Sequence, residues 1–115
     1  MRYLFLLNPT AGKRDCTAEL APAIRAAAQR AGIPPEKRKV VATQYAGHAR
    51  ELAAEAAHTA QADGEPVRIW TAGGDGTFNE ALTGIYGYAN AAVGCLPFGS
   101  GKQQLYHLRL TRIKQ

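Results

Sequence analysis

The sequence predicts an α/β domain in which helices cover both faces of a parallel sheet. Four short apolar runs alternate with longer segments in which apolar residues recur at three- and four-residue steps. Parallel neighbours need a crossover connection, normally a right-handed helix, so this alternation favours a three-layer arrangement. The chain has 115 residues, which suits one folding unit.

The first half of the chain predicts a strand, a helix and a second strand. Residues 3–7 form an uninterrupted apolar run closed by a turn at residues 8–12, as expected of a strand buried on both faces. A helix stopped by Gly32 follows, with helical spacing at Leu20, Ile24, Ala27, Ala28 and Ala31. Val40 and Val41 mark the second strand.

The second half repeats the same order of elements. An alanine-rich segment, residues 46–62, predicts a helix ended by a turn at Asp63 and Gly64. The remaining predictions are a strand at Val67, Ile69 and Trp70, a helix carrying Phe78, Leu82 and Ile85, and a strand over residues 91–96. In such sheets ligands bind at the carboxyl ends of the strands.

Composition restricts the classes of protein to consider. The net charge of +5 suits phosphate-bearing partners, but the basic residues are scattered, which is typical of a solvated surface. No apolar stretch reaches the roughly 20 residues that a membrane span needs. Cys16 and Cys95 indicate neither a metal site nor a disulfide framework, so we expect a reducing cytoplasm.

The strongest motif is the turn Gly73–Thr77, between the third strand and its helix. Its glycines allow positive φ and close approach, so backbone amides can surround an oligophosphate at the positive end of the helix. Asp75 would repel phosphate unless it serves a magnesium ion or orients an attacking hydroxyl, which makes it the catalytic candidate. The alternative is a plain tight turn with Thr77 and Glu80 forming a capping box.

Three other turns lie at the same predicted edge. Residues 8–13 are a second candidate phosphate loop or an ordinary turn, and residues 43–48 begin a helix with either a ligand contact or a simple cap. Residues 99–102 end like a Walker A loop, but Leu96 stands where its first glycine belongs. Asn79 likewise replaces the third glycine of a dinucleotide fingerprint.

Together these segments resemble the ordered motifs of the diacylglycerol kinase catalytic domain family, which includes sphingosine and bacterial lipid kinases. The matching segments are Asn8–Gly12, Thr43 with Gly47, His48 and Ala49, Gly73–Thr77 with Asn79 and Glu80, and Leu96–Gly101. The resemblance covers almost the whole chain. It implies a three-layer α/β/α Rossmann-like parallel sheet, similar to the N-terminal domains of phosphofructokinase and NAD kinase, with residues 1–115 as the nucleotide-binding domain.

The resemblance also implies a function: transfer of the ATP γ-phosphoryl to a lipid hydroxyl such as that of diacylglycerol, with ATP and Mg²⁺ as cofactors. Asp75 is the implied catalytic residue, and the metal ligands are left unassigned. The implied nucleotide contacts are Asn8, Pro9, Thr10, Ala11, Gly12, Thr43, Gly74, Asp75, Gly76, Thr77, Phe78, Asn79, Glu80 and Ser100.

The chain departs from the family pattern in two respects. Lys102 and Gln103 stand where relatives carry Asn and Asp, and we expect these 115 residues to lack the β-rich second domain that closes over the lipid in relatives. We therefore expect half of a kinase, cytoplasmic or peripheral at a membrane, which meets its lipid through that second domain and can form a homodimer.

Two other functions stay open at this point. One is a non-catalytic nucleotide-binding module, and the other is an NAD-kinase-like phosphotransferase that shares the Gly-Gly-Asp-Gly turn. Nucleic acid is not an expected partner, because the basic surface is not accompanied by a recognised binding module.

Overall fold

The computed structural model describes residues 1–9, 17–72 and 74–96, and it confirms the predicted alternation of strands and helices. In chain order the elements are β1 (Arg2–Leu7), α1 (Thr17–Arg30), a short 3₁₀ helix (Pro35–Lys37), β2 (Arg38–Ala42), α2 (His48–Ala62), β3 (Val67–Ala72), α3 (Gly74–Gly84) and β4 (Ala91–Cys95). No helix in the described ranges is long and apolar enough to cross a membrane.

The four strands form one sheet in the order β2-β1-β3-β4, and all neighbouring strands are parallel. The chain leaves β1 towards β2 and then returns across β1 to β3, so the direction of winding reverses beside β1. Leu7, at the end of β1, pairs with Ala42 on one side and Ala72 on the other. The carboxyl ends of three strands therefore meet at a topological switch point, where ligands bind in open α/β sheets.

One face of the sheet packs against α2 and α3. Leu4 and Leu6 point to this face, together with Ile69 and Val93, and all four are buried. Helix α2 covers them with a stripe of buried alanines at residues 49, 53, 57 and 60. Because alanine is small, α2 lies close both to the sheet and to α3.

The opposite face packs against α1. Phe5 and Leu7 alternate with the two leucines of the first face, and they lie with Trp70, Ile24 and Ala28 in a second buried cluster. Strand β1 is therefore buried on both faces, as its uninterrupted apolar run predicts. With helices on the two faces of the sheet, the domain has the predicted three layers.

An ion-pair cluster closes the amino end of the sheet. Glu65 accepts from Arg2 Nε at 2.8 Å and from Lys37 Nζ at 2.7 Å, and Arg2 also contacts Asp63. The hydrogen bond from Lys37, followed by that from Arg2, lowers the pKa of Glu65 from its usual 4.5 to about 2. The cluster joins β1 to the loop before β3, at the end of the sheet opposite the switch point.

Candidate functional site

The sheet's hydrogen bonding continues one residue beyond the strands at the carboxyl edge. Asn8 donates its N–H to the carbonyl of Ala72 at 2.8 Å, and Thr43 donates its N–H to the carbonyl of Leu7 at 2.7 Å. The Thr43 side chain is buried, and its hydroxyl donates to the same Leu7 carbonyl at 3.3 Å. The chain segments that leave β1 and β2 are thereby fixed side by side.

Helix α3 begins almost directly after β3, with a single residue between them. Its first residue, Gly74, has a φ of +85°, a conformation that side chains other than glycine rarely adopt. Gly74, Asp75 and Gly76 are exposed, and a Cβ added at Gly76 would meet nothing within 4 Å. The first N–H groups of a helix lack intrahelical partners and carry its positive pole, so this turn presents an accessible positive end.

Asn8 joins the end of β1 to the first turns of α3. Its Nδ2 donates to Oγ1 of Thr77 at 3.2 Å, and Thr77 is almost fully buried. The start of α3 shows that the capping-box alternative is wrong. Helix α3 starts at Gly74, so Thr77 already lies inside the helix, where it cannot act as the N-cap.

Glu80 does not complete a capping box either, because it reaches the neighbouring helix. Its Oε1 accepts the N–H of Gly47 at 3.2 Å. Gly47 is the N-cap residue of α2 and has a φ of +90°. The carboxylate therefore satisfies a helix-start donor of α2 and fixes the beginning of that helix against α3.

The turn before α2 carries two stacked rings that the sequence analysis did not pair. The ring centroids of Tyr45 and His48 lie 4.4 Å apart with an interplanar angle of 16°. Tyr45 OH donates to the carboxylate of Glu51, and this hydrogen bond raises the pKa of Tyr45 above its usual value. His48 was among the motif residues, but Tyr45 was missed. An aromatic residue inside a glycine-containing strand-to-helix turn was the available signal.

A cavity of about 640 Å³ brings these segments together. It is lined by Asn8, Pro9, Ala42, Thr43, Gln44, Tyr45, Ala46, Gly76, Thr77 and Glu80. Its volume falls within the range of about 300 to 1,000 Å³ that is usual for small-molecule sites. Six of these ten residues were predicted, from three separate turns, and the structure places them around one space: Asn8, Pro9, Thr43, Gly76, Thr77 and Glu80.

Other predicted contacts do not line this cavity. Gly74 and Asp75 lie on the exposed first turn of α3 beside it, Phe78 packs against the core under α2 and α3, and Asn79 is exposed. The Phe78 side chain thus has a packing role. The predictions for Thr10, Ala11, Gly12 and Ser100, and for Lys102 and Gln103, lie outside the described residues.

The donor set is compatible with a magnesium ion that is held mainly by phosphate and water. In the described part of the chain, no group of three or more His, Cys, Asp or Glu side chains could hold a metal. Mg²⁺ commonly binds through one or two carboxylates together with substrate phosphates and several waters. The exposed carboxylate of Asp75 fits that mode, whereas the carboxylate of Glu80 already accepts from Gly47.

These features define a class of protein: a parallel α/β domain whose glycine-rich strand-to-helix turn opens onto a cavity at the switch point. The sequence matches the family described as the diacylglycerol kinase catalytic domain over residues 2–115. The chain belongs to this family, which confirms the resemblance drawn from its motifs.

The chain is also similar to a solved structure, that of a proposed diacylglycerol kinase from Bacillus anthracis strain Sterne. The TM-score is 0.58 and the sequence identity is 22%, over 86% of this chain and 31% of the other. At this identity the similarity shows the fold alone. The present chain spans less than a third of the length of that structure. Comparison with curated proteins gives no significant match.

Proposed function

We propose that this chain is the ATP-binding part of a lipid kinase and that the nucleotide phosphates bind at the amino end of α3. The observation that carries the proposal is the opening of this helix onto the cavity at the switch point, beside the open position at Gly76. Family membership supports kinase chemistry of this kind.

Several features of the edge favour a phosphate ligand. The positive pole of α3 attracts negative charge, and the missing side chain at Gly76 lets phosphate oxygens approach the backbone amides. Asn8 and Thr77 hold each other in place at the wall of the cavity. The net charge of +5 also favours the approach of a polyanion.

In this proposal Asp75 acts where the phosphates meet the exposed first turn of α3. A bound Mg²⁺ would neutralise charge on the phosphate oxygens, and the Asp75 carboxylate would help to hold it. Thr43 and Glu80 line the cavity, and their hydrogen bonds to Leu7 and Gly47 also keep its walls in position. The proposed nucleotide contacts remain Asn8 to Gly12, Thr43, Gly74 to Thr77, Asn79, Glu80 and Ser100, whereas the Phe78 side chain packs against the core.

The acceptor in this proposal is a lipid hydroxyl such as that of diacylglycerol, met at a membrane surface. A β-rich second domain, like that implied by the family resemblance, would bring the lipid to the phosphate edge. Residues 1–115 would then be the nucleotide-binding domain of an enzyme that is cytoplasmic or peripheral at the membrane. A homodimer would be one way to cover the surface against which the second domain packs.

Calorimetric titration of ATP tests the phosphate assignment. A Gly76→Asp variant places a carboxylate at the proposed phosphate position, where space is available for a side chain. Two like charges about 4 Å apart repel by up to about 4 kcal/mol at an effective dielectric constant of 20, so we expect affinity to fall at least tenfold.

The matched control is Thr83→Asp, which adds the same charge to an exposed position near the other end of α3. We expect this variant to bind ATP within about threefold of the unaltered chain, since exposed charges separated by more than the Debye length of about 10 Å are largely screened. Equal affinity in the two variants would contradict the assignment of phosphate to this turn.

A further inference from the structure

The exposed aromatic ring of Tyr45 stands at the wall of the proposed phosphate cavity. The residue is 55% exposed, although it lines the same cavity as Gly76 and Thr77. Within the described ranges, the other large apolar side chains with comparable exposure, Met1 and Tyr86, do not line that space. The exposure of Tyr45 therefore needs a separate explanation, because this exposed side chain lies at the cavity and those of Met1 and Tyr86 do not.

The ring is held in one orientation by neighbouring side chains. His48 stacks against one face of Tyr45, and the hydroxyl at the end of the ring donates to Glu51. His48 is itself fixed, because its Nδ1 accepts the N–H of Gln44 at 2.9 Å. A side chain ordered before binding loses little rotamer entropy when a ligand arrives. The turn therefore presents a rigid flat surface.

The chemistry of this surface suits a stacked base. Because His48 covers one face of the Tyr45 ring, the opposite face is the one left to receive a ligand ring. Bases stack on aromatic rings with little dependence on base identity, because every base has a π-face. Gly76 and Thr77, where the phosphates are proposed to bind, line the same cavity, so a nucleotide bound there can direct its base towards Tyr45.

We propose that the free face of Tyr45, backed by His48, is the stacking platform for the base of the bound nucleotide. This inference rests on the proposed phosphate site. The Tyr45 hydroxyl is already bonded to Glu51, so it offers the base no additional donor. Tyr45 consequently strengthens binding of nucleoside triphosphates in general, and it discriminates only weakly between adenine and guanine.

The test compares ATP, GTP and inorganic tripolyphosphate in calorimetric titrations of the full chain. Tyr45→Ala removes the ring, and we expect ATP and GTP affinities to fall about 5- to 150-fold, the range that base–aromatic stacking supplies. Tripolyphosphate affinity stays unchanged because this ligand has no base. Tyr45→Phe keeps the ring and retains ATP affinity within about threefold, while Tyr86→Ala, a tyrosine outside the cavity, has no effect.

The outcomes separate this inference from the function proposed above. If Tyr45→Ala leaves ATP affinity unchanged while ATP and tripolyphosphate still bind, the platform is overturned and the phosphate site stands. An equal loss for ATP and tripolyphosphate also overturns it, because the effect is then a distortion of the cavity. If neither ligand binds the unaltered chain, the proposed function and the inference fail together.

Discussion

Replacing Gly84 with alanine tests the close packing of α2 against α3, which positions the candidate site. A Cβ at residue 84 would lie 2.3 Å from the carbonyl oxygen of Arg50 and 3.1 Å from the Cβ of Ala53. A carbon and a carbonyl oxygen normally stay at least about 3.3 Å apart. The two helices would therefore have to separate locally by about 1 Å to accommodate the methyl group.

Overpacking of this kind costs about 1 to 3 kcal/mol of the free energy of unfolding. For a chain of this length, a loss of about 2 kcal/mol lowers Tm by about 6 to 12 °C. Urea denaturation followed by circular dichroism measures the change, and we expect a lower midpoint with an unchanged m-value. The cost arises from the helix interface, so it appears in the absence of any ligand.

Gly76→Ala is the matched control, because it makes the same change in the same helix with nothing within 4 Å of the added Cβ. Alanine is a better helix former than glycine by up to about 1 kcal/mol, so this variant keeps or gains stability. A Gly84→Ala protein as stable as Gly76→Ala would refute the argument that α2 and α3 are in contact at Gly84.

Three further predictions concern charged side chains. Because the folded-state pKa of Glu65 is lowered from 4.5 to about 2, its contribution to the free energy of unfolding is complete above pH 4.5 and is lost as pH falls towards 2. Urea unfolding at pH 6, 4 and 3 should therefore show a weaker acid destabilisation in Glu65→Gln than in the unaltered chain. An identical pH dependence in the two proteins would contradict the ion-pair cluster. Glu80→Ala removes the acceptor for the N–H of Gly47, so it should lower the free energy of unfolding by about 1 kcal/mol, measured by thermal unfolding. Glu80→Gln retains a carbonyl oxygen that can accept this hydrogen bond and should keep most of that stability. Equal losses of stability in the two variants would count against the hydrogen bond. Asp75→Asn should abolish most of the gain in ATP affinity that Mg²⁺ provides, and it should leave metal-free ATP binding unchanged or stronger. Titrations of ATP with and without Mg²⁺ measure both effects. A full magnesium effect in the variant would show that Asp75 does not help to hold the metal.

Most of the fold follows from local patterns in the sequence. The run at residues 3–7 supplies Leu4 and Leu6 to one face of the sheet and Phe5 and Leu7 to the other, so a strand buried on both faces is the natural outcome. The alanine stripe of α2 and the end of the first helix before Gly32 were also predictable from the sequence. The order of the strands in the sheet was not predictable, because periodicity describes each element alone and carries no information about its neighbours.

The site was predictable as a set of turns but not as a set of contacts. Asn8 and Thr77 are 69 positions apart, and their hydrogen bond exists only because β1 and β3 are neighbours in the sheet. Glu80 looked like a partner for its own helix, yet it bonds Gly47 across the interface between α2 and α3. Local patterns suggest local partners, and here tertiary packing brings distant partners into reach.

The bonds at the end of β1 determine how a ligand at this edge affects the whole molecule. The Leu7 carbonyl receives both hydrogen bonds of Thr43, and the next N–H along the chain, that of Asn8, goes to Ala72. Asn8 and Thr43, two residues of the binding edge, are thus extensions of the sheet. A ligand that binds them adds its free energy to the cooperative unfolding of the entire domain, because these segments cannot loosen unless the sheet opens.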